Sequence, residues 1–139
     1  MVGSSQGGCH SHLYRETRVK RVAVVEDNPD NRLLVAVILE DRYDITEYEN
    51  GVDALQGFVT HVPDLILLDI SLPGMDGVEV LSHIRADERF KHLPVIAITA
   101  HASPADRERF LEAGFNEYVA KPIVDEMILL DAIAKHLNA

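Results

Sequence analysis

The feature that most constrains this chain is an alternation. Short apolar runs rich in β-branched residues take turns with segments of helical periodicity from Arg21 almost to the end of the chain. The runs are RVAVVE (21–26), DITEYE (44–49), PDLILLD (63–69), PVIAIT (94–99) and NEYVAK (116–121). Strands that alternate with helices predict a parallel sheet joined by right-handed crossovers and covered by helices on both faces. LILL and VIAI have no polar alternation, which is the pattern of strands buried on both sides.

Local signals place the helices between these strands. Asp27 or Asn28 can cap the first, with Pro29 in its first turn. Gly51 is read as preceding the helix VDALQGFVTH, and a loop built on Pro73, Gly74 and Gly77 leads into GVEVLSHIRAD. In SPADRERFLEAG, Ser103 is the N-cap, Pro104 opens the helix, Asp106 occupies the capping-box position and Gly114 stops it. The last helix is VDEMILLDAIAKHL, in which Met127, Leu130, Ile133, Ala134 and Leu137 are the expected core stripe, leaving Ile128 and Leu129 over for a partner or dimer face.

Composition bounds the function. A chain of 139 residues is most simply one domain. Residues 1–19, rich in Gly, Ser and His at their start, are expected to be a flexible tail, and residues 20–139 the folded domain. A net charge of −10 argues against a nucleic-acid surface, because neutralising phosphates needs clustered Lys and Arg. No apolar run approaches the ~18 residues of a membrane span. One cysteine, Cys9, excludes an internal disulfide framework and fits a reducing compartment, so a cytoplasmic location is expected. Cys9, His10 and His12 have no partner cluster at metal-ligand spacing.

In open parallel α/β sheets, ligands bind outside the carboxyl ends of the strands. Those ends carry Glu26 and Asp27, then Asp69, Thr99 and Lys121. Crowded carboxylates repel one another and favour a hard, oxygen-ligated cation, for which Mg²⁺ with a phosphate-bearing substrate is suited. Asp69 would then be a nucleophile that forms an acyl phosphate. Lys121 would supply positive charge to the phosphoryl oxygens and Thr99 a hydroxyl donor.

Four motifs in order resemble one family. VVEDNPDNR, LILLDISLPGMDG, AITA and YVAKP are similar to the motifs of the receiver (CheY-like) domains of two-component response regulators, and the resemblance spans residues 20–138. It implies a flavodoxin-like (βα)5 fold, a doubly wound five-stranded parallel sheet in the order 2-1-3-4-5. By the same resemblance Asp69 is the phosphoacceptor. Asp27, Asp69 and the backbone carbonyl of Ser71 ligate Mg²⁺ (Mn²⁺ able to substitute), and Glu26 reaches the ion through water. Glu26 is a departure, since many members have Asp there.

Thr99 and Tyr118 resemble the pair that reports phosphorylation, and Pro122 a cis-peptide corner that helps aim Lys121. Ser71 and His101 match positions that tune aspartyl-phosphate lifetime, with the His101 side chain expected in solvent. The implied role is a signalling receiver rather than a turnover enzyme, one that catalyses only its own phosphorylation and dephosphorylation. Its donor would be a histidine kinase or histidine phosphotransfer protein. Its output would pass to an unknown protein effector through a face made by helix 4, strand 5 and helix 5, because the chain leaves no room for a DNA-binding or catalytic output domain. It would act as a monomer or a phosphorylation-dependent dimer.

Three alternatives compete with this reading. An Asp-nucleophile phosphatase needs a second acid two residues after the nucleophile, where this chain has Ser71. A flavin mononucleotide carrier needs a Ser/Thr/Gly-rich phosphate loop after strand 1, where this chain has the acidic EDNPDN. A receiver-like interaction module that works without phosphorylation usually loses the acids or the lysine, and here all are kept.

Overall fold

The computed structural model describes residues 19–101 and 103–137; residues 1–18 of the expected tail, with Cys9, His10 and His12, lie outside them. Strands and helices alternate: β1 Arg21–Val25, α1 Pro29–Leu39, β2 Asp44–Tyr48, α2 Gly51–Thr60, β3 Leu65–Asp69, α3 Gly77–Ala86, β4 Val95–Thr99, α4 Pro104–Ala113, β5 Glu117–Ala120 and α5 Glu126–Leu137. All strand pairs are parallel, in the spatial order β2-β1-β3-β4-β5. This is the expected 2-1-3-4-5 sheet. β3 and β4 are buried at every residue, whereas β2, with one neighbour, is largely half-exposed, which is why DITEY is the most polar of the five.

The period-two alternation of the strands builds two cores. Ala23, Val25, Ile66 and Leu68 pack with Ala54, Phe58, Leu81, Ile84 and Phe110 of α2, α3 and α4. Val22, Val24, Leu67 and Ile98 pack on the other face with Val35, Leu39, Leu129 and Ile133 of α1 and α5. Fully burying each such side chain stabilises by about 1.5–3 kcal/mol. The two-sided core holds β3 rigidly, and so the position of its last residue, Asp69.

Capping residues decide where each helix starts. Asn28 caps α1, its Oδ1 accepting from the backbone N–H groups of Asp30 at 2.9 Å and Asn31 at 3.1 Å. Asp27 is thus spared from capping. Gly51 does not precede α2 but opens it, because Asn50 caps that helix by accepting from Asp53 N at 2.8 Å. Asp76 caps α3, 2.9 Å from Glu79 N. Ser103 and Gly114 bound α4 as expected, Gly114 with φ of +115°, a left-handed conformation that glycine adopts without steric cost.

The helix α5 corrects one expectation. Its buried residues are Leu129, Leu130, Ala132 and Ile133, while Met127 is 50% exposed. Leu129, expected to be spare, has no exposure at all. The MILL run is apolar on adjacent faces, so periodicity leaves the helix's rotation undetermined. Packing against the sheet selects the 129/130/133 stripe, leaving Met127 and Ile128 outside.

Candidate functional site

Among the described residues, the buried polar side chains are Glu26, Asp69 and Thr99, with 4%, 3% and 0% exposure. All three stand at the carboxyl edge of the sheet. Glu26 continues β1 by one residue, its N–H donating to Tyr48 O at 3.0 Å. Asp27 follows on the exposed start of the loop. The carboxylates of Glu26, Asp27 and Asp69 each offer an oxygen within 4.8 Å of the others.

Lys121 closes this cluster. Its backbone N–H donates to Thr99 O at 2.8 Å, continuing the ladder past β5. The peptide bond from Lys121 to Pro122 is cis. The Lys121 Nζ lies 2.8 Å from Glu26 Oε1 and 3.0 Å from Asp69 Oδ2. Burial lowers the lysine pKa, but hydrogen bonds to Glu26 and Asp69 outweigh it and leave the ammonium above its ordinary value. Burial raises the Glu26 carboxyl, and Asp69 adds to that; the hydrogen bond from Lys121 offsets this only in part. One ammonium thus serves two buried acids.

The backbone completes the setting of each acid. Ser71 N donates to Asp69 Oδ1 at 3.0 Å, so both Asp69 oxygens are held. Asn28 N donates to Glu26 Oε2 at 3.1 Å. Arg32 Nη1 donates to the Glu26 carbonyl at 2.9 Å, a contact that nothing in the linear pattern pointed to. Gly77 permits the turn after β3, because a Cβ there would lie 2.5 Å from the Asp69 carbonyl oxygen.

Other expected site residues sit nearby without joining the cluster. The Thr99 hydroxyl bonds the His101 backbone, accepting from its N–H at 2.9 Å and donating to its carbonyl at 3.3 Å. No hydrogen bond links it to Asp69, Glu26 or Lys121. His101 and Ser71 are exposed, and Tyr118 is half-buried, with the Arg107 guanidinium 5.2 Å above its ring.

This donor set fits a hard divalent cation. It offers three carboxylates at close range, two of them buried, and burial holds the Glu26 carboxyl above its ordinary value, so added positive charge is favourable there.

Fold and cluster together define a receiver of two-component phosphorelay signalling. A family model for the response regulator receiver domain matches residues 22–134, and the chain belongs to that family. It is 42% identical over 105 residues to the polar-differentiation response regulator DivK of Brucella anthropi, covering 75% of this chain and 85% of that one. The receiver domain of a sensor histidine kinase from Pseudomonas aeruginosa, solved with magnesium ion coordinated in its active site cleft, is 34% identical with a TM-score of 0.79. That match covers 87% of this chain and 99% of the other. The chemotaxis protein CheY4 of Vibrio cholerae has the same TM-score at 25% identity, covering 86% of this chain and 99% of its own. No helix among the described residues is long and apolar enough to cross a membrane.

Proposed function

We propose that the chain accepts a phosphoryl group from a phosphohistidine donor onto Asp69, with Mg²⁺, and relays that event through protein contacts. The observation that carries this reading is the pairing of Lys121 with both buried acids at 2.8 and 3.0 Å. A carboxylate held at a strand tip, beside an ammonium that stays protonated, is placed to attack phosphorus. The P–N bond to the donor imidazole breaks as the P–O bond to Asp69 forms.

Lys121 then has phosphoryl oxygens to contact in place of Asp69 Oδ2, a charge-assisted pairing aimed at the negative charge of the transferring group. Asp27, Asp69 and the Ser71 carbonyl would hold the cation, with Glu26 acting through water. When bound, the ion screens the acids and neutralises charge on the phosphoryl group, and Mn²⁺ should substitute. Ser71 N keeps Asp69 aimed, and small Ser71 and exposed His101 leave water access to the product, which sets its lifetime.

Thr99 and Tyr118 would carry the signal onward. The Thr99 hydroxyl, bonded to the His101 backbone in this state, can turn toward a phosphoryl group, and Tyr118 can fill the space it leaves. The surface of α4, β5 and α5 would thereby shift between two states. A histidine kinase or histidine phosphotransfer protein is the proposed donor, with a protein as effector.

Acetyl phosphate with Mg²⁺, followed by intact mass, tests the assignment. The parent should gain one phosphoryl group and Asp69→Asn none. An unlabelled parent, or equal labelling of the two, would sink it.

A further inference from the structure

We propose that Arg32 is a positioning residue for the cation site, acting through the Glu26 carbonyl; the inference rests on the Mg²⁺ site proposed above. Arg32 leaves the first turn of α1 with its side chain 19% exposed. Its Nη1 donates to Glu26 O at 2.9 Å, and its Nε lies 3.2 Å from Glu47 Oε1 on β2. The carbonyl has need of such a donor. Glu26 N still pairs with Tyr48 O, but β2 ends at Tyr48 and no backbone N–H among the described residues donates to Glu26 O. Arg32 takes over where the ladder stops.

Asp27 is the acid that this bond serves. Its carboxylate is on the exposed side of the cluster, and no side-chain hydrogen bond or ion pair holds it among the described residues. Its place is therefore set by its backbone. The peptide before it is tied by Arg32 at the Glu26 carbonyl, and the N–H after it, that of Asn28, by Glu26 Oε2 at 3.1 Å. Without Arg32, the 26–27 peptide is free to rotate, and Asp27 swings away from Glu26 and Asp69. Ordering it again would cost part of the cation's binding free energy.

Two effects of opposite sign separate positioning from mere proximity. Arg32 is a cation near a cation site, so as a bare charge it weakens Mg²⁺ binding, and its removal would tighten it. As a positioning residue, its removal loosens binding. Glu47, 3.2 Å from the Arg32 Nε, offsets the bare charge, so positioning is the effect expected to show.

Isothermal titration of Mg²⁺ into the parent, Arg32→Met and Arg32→Lys, with denaturant unfolding of the same proteins, tests this. Arg32→Met should bind Mg²⁺ about tenfold more weakly. Arg32→Lys should fall between the two, since its ammonium still has a donor for the carbonyl. Equal or tighter binding by Arg32→Met would overturn the proposal whatever the variant's stability. Should Arg32→Met not fold, Arg32→Lys decides: weaker binding than the parent supports the proposal, and equal binding overturns it. A parent that takes up no Mg²⁺ would instead overturn the site reading underneath.

Discussion

Asp69 and Lys121 are 52 positions apart in the chain, yet the lysine Nζ donates to Asp69 Oδ2 at 3.0 Å. The same ammonium lies 2.8 Å from Glu26 Oε1. Two buried carboxylates against one ammonium leave a negative excess, and exposed Asp27 adds to it. The site is therefore short of positive charge, which is the condition in which a divalent ion binds.

Lys121→Met removes the ammonium and leaves both acids buried without it. Labelling by acetyl phosphate should slow by about a hundredfold, the order found when a donor to developing negative charge is lost. Stability should fall by about 1–3 kcal/mol at neutral pH, read from denaturant midpoints, and less at acid pH, where Glu26, its carboxyl raised by burial, can take up a proton. A variant labelled at the parental rate would contradict the role given to Lys121.

Glu26 gives the site a pH dependence. Burial holds its carboxyl above the ordinary 4.5, so the folded state binds this proton more tightly than the unfolded chain. Its contribution favours folding at low pH and is lost as pH rises from about 4.5 through the raised value. Mg²⁺ favours the ionised form and offsets that loss. The thermal shift produced by saturating Mg²⁺ should thus be larger at pH 8 than at pH 5, and equal shifts would count against a Glu26-containing site. Lys121 acts at the alkaline end: its raised pKa gives stability that is complete below 10.5 and lost as pH rises beyond it.

Gly77→Ala should damage both fold and site. The new Cβ would stand 2.5 Å from the Asp69 carbonyl oxygen and 2.7 Å from Ile70 Cα, and backbone atoms cannot yield as a flexible side chain can. A loss of about 1–3 kcal/mol is expected, with slower labelling of Asp69. Unchanged unfolding and labelling would show that the turn has more slack than its geometry implies.

Thr99→Ala separates phosphorylation from its readout. Among the described residues the hydroxyl bonds only the His101 backbone, so its loss should cost about 1 kcal/mol. Asp69 should still be labelled, but the Tyr118 ring resonances should no longer move when it is. If the ring responds as in the parent, Thr99 is not the link.

Much of this was legible in the chain because the information is local. Continuous apolar runs identify buried parallel strands, and a polar residue at the end of each run lands at one edge whatever the side chains between. Glu26, Asp27, Asp69, Thr99 and Lys121 could be grouped that way before any coordinates. Helix starts were readable where one cap stands alone, as at Ser103. They were not where Asp27 and Asn28 compete, and Gly51 hid Asn50.

What the linear pattern could not hold is rotation and reach. The apolar residues of α5 allow more than one face inward, and only the packing of Leu129 and Ile133 on the sheet chose between them. Arg32 reads as an ordinary helix-surface cation until β2 ends one residue short of satisfying Glu26 O. The sequence alone determined the parallel strands and the residue types at their carboxyl ends, because strand periodicity and chain direction are local; the order of the strands was implied only by the resemblance to receiver domains. Tertiary structure alone decided that one lysine spans two acids, because that contact joins segments far apart in the chain, and that Arg32 reaches the Glu26 carbonyl, because that depends on where the neighbouring strand ends.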